Sequence, residues 1–270
     1  MLITLTLAAS VAAGAAAAGP IVSADWLQAH LSDPQVRVIC VDDDGYARGH
    51  IPGARPISHM DTISGDHVLL PADALGRVFA KAGVTDGARI VLYGDPMSAG
   101  FIYGVLSRIG LADNVSWLDG GMTAWRAGHR PVETKTPAPG EGPLTVATPA
   151  ADSIVDAAWV RAHLNSPTTK ILDVRTTQEW ERGHLPGATL ILWQDLFADA
   201  QHQTFKSPEQ IRALLAKAGV APAQEVVTYC AVGMRASLMA FAARAAGVTT
   251  HLYLGSWQDW SKDPSNPIVR

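Results

Sequence analysis

Two cysteines, Cys40 and Cys230, are the only thiols in the chain, and their settings assign them different chemistry. Cys230 follows Glu225 and the β-branched run Val226-Val227-Thr228, a pattern that favours a buried strand. It precedes Ala231-Val232-Gly233-Met234-Arg235, a short loop in which Gly233 lets the backbone reverse. From Ala236 to Ala246 the chain is rich in Ala, Leu, Met and Phe and predicts a buried helix. A thiol at such a junction faces the loop amides of Ala231, Val232, Gly233 and Met234 and a helix N-terminus. Both carry partial positive charge, which favours the thiolate. Arg235 adds a full charge, and a guanidinium can hold two oxygens of a sulfonate or carboxylate at once. The set suits a nucleophilic sulfur that attacks, carries or releases an anionic group. Cys40 lies inside a predicted strand and is assigned to the core, where small thiols usually pack.

The elements that must position Cys230 occur twice. Asp25-Trp26-Leu27-Gln28-Ala29-His30-Leu31 recurs as Ala158-Trp159-Val160-Arg161-Ala162-His163-Leu164. Val38-Ile39-Cys40-Val41-Asp42 pairs with Ile171-Leu172-Asp173 as a strand ending in Asp. Arg48-Gly49-His50-Ile51-Pro52-Gly53-Ala54 matches Arg182-Gly183-His184-Leu185-Pro186-Gly187-Ala188. Phe79-Ala80-Lys81-Ala82-Gly83-Val84 matches Leu215-Ala216-Lys217-Ala218-Gly219-Val220, and Ile90-Val91-Leu92-Tyr93 matches Val226-Val227-Thr228-Tyr229. Gly120-Gly121-Met122-Thr123-Ala124-Trp125 matches Gly255-Ser256-Trp257-Gln258-Asp259-Trp260. A repeat of domain length implies duplication rather than a solenoid. Strands alternate with helices in each half, so the expected fold class is α/β, two tandem domains, each a mostly parallel sheet flanked by helices. Residues 20–133 form the first domain, the Pro/Gly-rich stretch 134–150 the linker, and 151–270 the second domain.

At 270 residues, 48% hydrophobic and 17% charged, the chain is globular with material for two cores. Its net charge of -4 and lack of a basic run argue against a nucleic-acid partner. Two cysteines give no disulfide framework, and nine histidines without an HxH or HExxH pattern give no metal site. No internal apolar stretch reaches transmembrane length, so no membrane partner is expected after processing. Residues 1–19 carry no charge and end in an alanine run, which predicts a signal peptide, although a basic residue near Met1 is lacking. Export to a periplasm or beyond follows as the expectation, with a cytoplasmic location as the alternative.

The Asp-x-Arg of Asp173 and Arg175, Gly-His-Leu-Pro-Gly-Ala from Gly183 to Ala188, the Tyr229-Cys230 loop and Gly255-Ser256-Trp257-x-x-Trp260 together resemble the tandem-domain rhodanese family of thiosulfate and 3-mercaptopyruvate sulfurtransferases. The resemblance runs from about residue 21 to 268. It implies an inactive first domain and a second domain that carries a persulfide on the loop cysteine. Its substrates would be a small anionic sulfur donor and a thiophilic acceptor such as cyanide or a thiol, with no cofactor. No feature of the sequence sets an oligomeric state. The first half agrees, since Gly94 stands where Cys230 falls in the second half and Asp95-Pro96-Met97-Ser98-Ala99-Gly100 follows it.

Roles follow for the neighbours. Arg235 holds the donor's anionic end or braces the loop. Arg182 lends charge at the pocket mouth or is simply solvated. Asp173 and Arg175 brace the strand end, with an Arg175–Glu179 pair expected. His184, repeated as His50 in a half without a nucleophile, is scaffold. Trp257 and Trp260 are core, with Trp257 or Trp193 as alternatives for lining the mouth. The loop lacks both the Cys-Gly-Ser/Thr-Gly-Val-Thr of mercaptopyruvate enzymes and the internal basic residues of vertebrate thiosulfate enzymes, and the reading leans to thiosulfate or a persulfide donor. A phosphatase loop on the same fold needs Arg six residues after Cys, and that place holds Ala236. The other reading is a non-catalytic sulfur carrier or redox-stress binding module.

Overall fold

Runs of β-branched and aliphatic residues bounded by Gly, Pro and Asp build the strands. Alanine-rich or amphipathic stretches opened by Ser, Asp or Thr caps build the helices between them. The computed structural model describes residues 19–65, 68–138, 140, 142–151, 153–199, 201 and 204–270, so the expected signal peptide lies outside the described residues except for Gly19. The first half comprises β1 (Ile21–Val22), α1 (Ala24–His30), β2 (Val36–Cys40), α2 (Asp43–Tyr46), β3 (Arg55–Pro56), α3 (Ala72–Lys81), β4 (Arg89–Tyr93), α4 (Pro96–Arg108), β5 (Val115–Leu118) and α5 (Gly121–Ala127). The second half repeats it as α6 (Ala157–Ala162), β6 (Thr169–Asp173), α7 (Thr177–Glu181), β7 (Thr189–Leu190), α8 (Pro208–Lys217), β8 (Glu225–Tyr229), α9 (Met234–Ala245), β9 (Thr250–Leu252) and α10 (Ser256–Trp260).

Both sheets are parallel. Their orders are β1-β5-β4-β2-β3 and β7-β6-β8-β9, and a bridge from Ile154 to Leu252 stands in the second sheet where β1 stands in the first. The duplication read from sequence is therefore a duplication of topology. One pairing needs correction. Cys40 lies opposite Tyr93 as Asp173 lies opposite Tyr229, so the register puts Cys40, not Asp42, in the place of Asp173. Asp42 instead caps α2 by accepting the Gly45 N–H.

The chain length left room for two cores. One cluster instead runs through both halves, joining Ile39, Leu92, Ile102 and Leu106 to Leu172, Val226, Leu238 and Phe241, with smaller clusters beneath α1 and α6. Helices α4 and α9 form the seam. Their backbones approach so closely that a Cβ on Gly100 would meet Leu238 Cγ at 2.7 Å and the Met234 carbonyl at 2.8 Å. Tyr103 meets Phe241 edge-on at 5.3 Å, and Trp117 meets Phe205 edge-on at 4.9 Å. Each such side chain removed from water contributes about 1.5–3 kcal/mol, so the domains are bound by core packing rather than by a tether. The linker is also packed. The Asp86 N–H bonds the Pro143 carbonyl, Asp86 accepts from the Thr145 backbone N–H and hydroxyl, and the Ala147 N–H bonds the Ile109 carbonyl.

Candidate active site

Cys230 is the first residue after β8 and lies four residues before the first residue of α9. It is fully buried. The helix begins at Met234, two residues earlier than the composition suggested, because Gly233 takes φ +94° and turns the chain directly into it. No other residue fits there: a Cβ on Gly233 would sit 2.7 Å from the Leu254 carbonyl oxygen. The Gly233 N–H points at Cys230 Sγ across 3.1 Å. The carbonyls of Cys230 and Ala231 are drawn away from the sulfur to the N–H groups of Trp257 and Gln258, at 2.9 and 3.0 Å. The loop thus turns acceptors outward while at least one donor faces the sulfur, the polarity an anionic sulfur needs. Val232 stands half exposed on the loop, while Ala231 and Met234 are partly covered.

Two residues to which sequence reasoning gave no role at the loop support it. Ser256 Oγ accepts the Cys230 N–H at 3.1 Å and donates to the Tyr253 carbonyl at 2.9 Å. It does so from φ +54°, where a serine is strained, while its counterpart Gly121 takes φ +52° without cost. The half with Cys230 accepts that strain to gain a hydroxyl; the half with Gly94 keeps glycine. The second residue is Glu179. It holds Arg235 through two bonds, Nη1 to Oε2 at 2.7 Å and Nη2 to Oε1 at 2.8 Å. Its partner was expected to be Arg175, and the structure overturns that pairing. Glu179 is the third residue of α7 and closes a capping box with Thr176, which turns its carboxylate across to the loop. The Thr176-x-x-Glu179 spacing was the sequence signal for that box.

The Arg235 hydrogen bond holds the Glu179 carboxyl at about 2, with burial opposing and the Thr176 bonds assisting. Arg235 is correspondingly raised, first by Glu179, with burial opposing and the Cys230 sulfur adding to the pull. The only cation of the loop is therefore beside the sulfur but already neutralised. A carboxyl lowered in the folded state stabilises the fold above its unfolded value. The brace is thus fully present at neutral pH and is lost as pH falls from about 4.5 through about 2.

Arg175 has its own buried partner. It bonds Asp173 through Nε and Nη2 at 3.0 and 2.7 Å and donates to the Gly183 carbonyl at 2.7 Å. Tyr229 completes the group by donating its hydroxyl to Asp173 and accepting the Leu185 N–H at 3.2 Å. Burial, then the Asp173 charge, pushes the Tyr229 phenol far up, so it stays protonated as a donor. The Arg175 guanidinium lies 4.5 Å over the Trp257 ring, and Trp257 in turn holds the Cys230 carbonyl. His184 stacks on Trp180 at 3.5 Å and, among the described residues, makes no hydrogen bond to Cys230; His50 stacks on Tyr46 in the same way. Arg182 caps the end of α7 as an exposed side chain, with no hydrogen bond or ion pair to the loop among the described residues. Trp260 is buried in the second domain's outer core, while Trp193 lines a cavity in front of Gly94.

The first half is closed to this chemistry by more than a missing thiol. Gly94 takes φ +129°, and a Cβ there would lie 2.9 Å from the Asp42 backbone nitrogen. Gly94→Cys is therefore expected to load no sulfur at the introduced thiol, read by peptide mass spectrometry after exposure to thiosulfate. Loading there as efficient as at Cys230 would show that backbone geometry does not separate the two halves.

Two parallel α/β domains, one carrying a cysteine in a turn of inward-facing amide at a strand end, define a sulfurtransferase fold of the rhodanese kind. The rhodanese-like domain model matches residues 23–128 and 156–263. The chain belongs to the rhodanese-like family, as a sulfurtransferase with two such domains in tandem. It is 30% identical to the thiosulfate sulfurtransferase of Azotobacter vinelandii, covering 90% of this chain and 94% of that one. It is likewise 30% identical to a probable 3-mercaptopyruvate sulfurtransferase of Pseudomonas aeruginosa, with 92% and 97% covered, and to the sulfur carrier protein TtuD of Thermus thermophilus, with 93% and 96% covered. Among solved structures, the 3-mercaptopyruvate sulfurtransferase SseA of Escherichia coli superposes with TM-score 0.77 at 24% identity, over 89% of this chain and 99% of that one, a likeness of fold.

Proposed function

We propose that this sulfurtransferase moves a sulfane sulfur from a small anionic donor, thiosulfate before 3-mercaptopyruvate, through a persulfide on Cys230. The Cys230 thiolate attacks the outer sulfur of thiosulfate; a sulfur–sulfur bond forms, the bond to the sulfonate sulfur breaks, and sulfite leaves with the electron pair. Cyanide or a thiolate acceptor then takes the outer sulfur, and the electron pair of the breaking bond returns to Cys230 as thiolate. The observation that carries this reading is the Gly233 N–H aimed at the sulfur across 3.1 Å, with the flanking carbonyls turned away. The amides of Ala231, Val232, Gly233 and Met234 are assigned to the persulfide and the donor. Mass spectrometry of the intact protein tests it: Cys230 should gain one sulfur from thiosulfate and lose it to cyanide. A protein that gains sulfur but returns none to any small acceptor would be a carrier instead.

Donor choice rests on the Arg235–Glu179 pair. Arg235→Ala would remove the cation and leave the Glu179 carboxylate unopposed beside the sulfur. It should lower kcat/KM for thiosulfate about tenfold or more, as loss of a charge-assisted bond does. Glu179→Gln should act the other way on binding, lowering KM for thiosulfate as the guanidinium is released to the donor. Arg182→Ala should affect mercaptopyruvate more than thiosulfate. Kinetics with both donors check the set, and equal losses across donors would move selectivity from charge to pocket shape around Met234.

Export is proposed from the uncharged apolar segment of residues 1–19. N-terminal sequencing of protein from cell fractions should find a mature start near Ala18 to Ile21. Intact Met1 in a cytosolic fraction would overturn it.

A further inference from the structure

A poorly balanced cation lies on the seam between the domains. Arg244, in the last turn of α9, reaches across to the first domain and donates through Nη2 to the Val115 carbonyl at 3.1 Å. Its guanidinium packs on Tyr103 at 5.8 Å and on Phe241 at 5.6 Å. Its Nε–H is buried and has no hydrogen-bond partner. The one acid it meets is Asp113, at 3.4 Å, whose own side chain is 92% exposed. A solvent-bathed carboxylate offsets little of a partly buried guanidinium's charge.

A second cation makes the imbalance larger. Arg89 is half-buried and donates to Ser116 Oγ at 2.7 Å, and among the described residues it makes no ion pair. Burial, and then the charge of Arg244, lower its pKa, which places the two guanidiniums within each other's field. A buried donor without an acceptor is uncommon, and a guanidinium whose one acid is solvent-bathed keeps most of its charge unbalanced.

Beside Arg244 is a cavity of about 220 Å³ lined by Tyr103, Ser107 and Asp113 from the first domain and by Ser153, Arg244 and Thr250 from the second. Its walls offer the Arg244 guanidinium, the Ser153 hydroxyl and aromatic surface beside the Asp113 carboxylate, while the Ser107 and Thr250 hydroxyls donate to the Tyr103 and Val248 carbonyls. Arg244 is ten residues beyond Met234 in the chain, about 15 Å along α9 from the end that meets Cys230. The site is therefore separate from the loop.

We propose that this cavity binds a small inorganic oxyanion, sulfite or phosphate in kind, held by Arg244. The ligand would displace the loosely held Asp113 carboxylate from Nη1. Because its walls come from both domains, occupancy should tighten the seam and raise the melting temperature with anion concentration.

Calorimetric titration of the full-length protein, cleared of persulfide by cyanide and desalted, with inorganic phosphate and separately with sulfite, tests this at low ionic strength. Saturable binding of either anion is expected, weakened about tenfold or more in Arg244→Gln as a charge-assisted bond is lost. Asp113→Asn should tighten binding, while Asp195→Asn, the same charge change away from the cavity, should not. Should Arg244→Gln fail to fold, the Asp113→Asn comparison still decides. No saturable binding of either anion, or binding indifferent to Arg244 and Asp113, overturns the proposal. Phosphate and sulfite bound alike would show recognition by charge and oxygen geometry, and sulfite alone a site matched to the product of the Cys230 reaction; both support it.

Discussion

Cys230→Ser should abolish sulfur transfer while the protein keeps its fold. Sγ accepts one bond, from the Gly233 N–H, and a serine oxygen in the same place can accept it too. The substitution leaves the buried volume nearly unchanged, so the cost in stability should stay within about 1.5 kcal/mol, the range of near-isosteric core changes. Activity has no comparable substitute. A hydroxyl at this site is not ionised at neutral pH and forms no persulfide, so neither half of the reaction can begin. Thiosulfate:cyanide activity and thermal melting, measured on the same preparation, give the two readouts. Substantial activity in the serine variant would falsify the assignment of the nucleophile. Cys40→Ala is the matching control. Cys40 is buried in β2 with its thiol toward the Asp42 carbonyl at 3.9 Å, so its loss should cost stability and leave turnover intact.

Asp173→Ala should be the most destabilising single change at the site. Asp173 and Arg175 are 0% and 2% exposed, and Asp173 is the acceptor for both Arg175 and the Tyr229 hydroxyl. Removing it strands a buried guanidinium and a buried phenol together. Breaking a buried pair from one side costs about 3–5 kcal/mol. For a chain of this size that corresponds to a fall of roughly 6–20 °C in melting temperature. Turnover should fall at temperatures where the variant is still folded, because Arg175 supports Trp257 and Trp257 holds the Cys230 carbonyl. Replacing both partners with apolar residues should recover much of the stability but not that support. An unchanged melting temperature in Asp173→Ala would show that the Arg175–Asp173–Tyr229 group is not the brace described above.

The sequence by itself determined the duplication and the α/β class, and it singled out the candidate nucleophile. Each is a local signal: alternating apolar strands and alanine-rich helices, the recurrence of Gly-His-Ile/Leu-Pro-Gly-Ala, and a cysteine ahead of a turn glycine. Such signals depend on neighbours a few residues away, and a chain shows those directly. The choice of partners was decided only by tertiary structure. Glu179 and Arg235 are far apart in sequence, and the capping box at Thr176 that aims Glu179 at the loop is also consistent with the local pairing to Arg175 that was expected. Arg175 was claimed instead by Asp173, two residues away on the same strand end, because both are buried and a buried charge must be paired where it lies. Strand register likewise set Cys40, not Asp42, in the place of Asp173, since a match of residue types ignores which side chain faces which across the sheet. The merged core followed from Gly100, whose missing Cβ lets α4 meet α9; nothing in a single helix announces the partner it will touch.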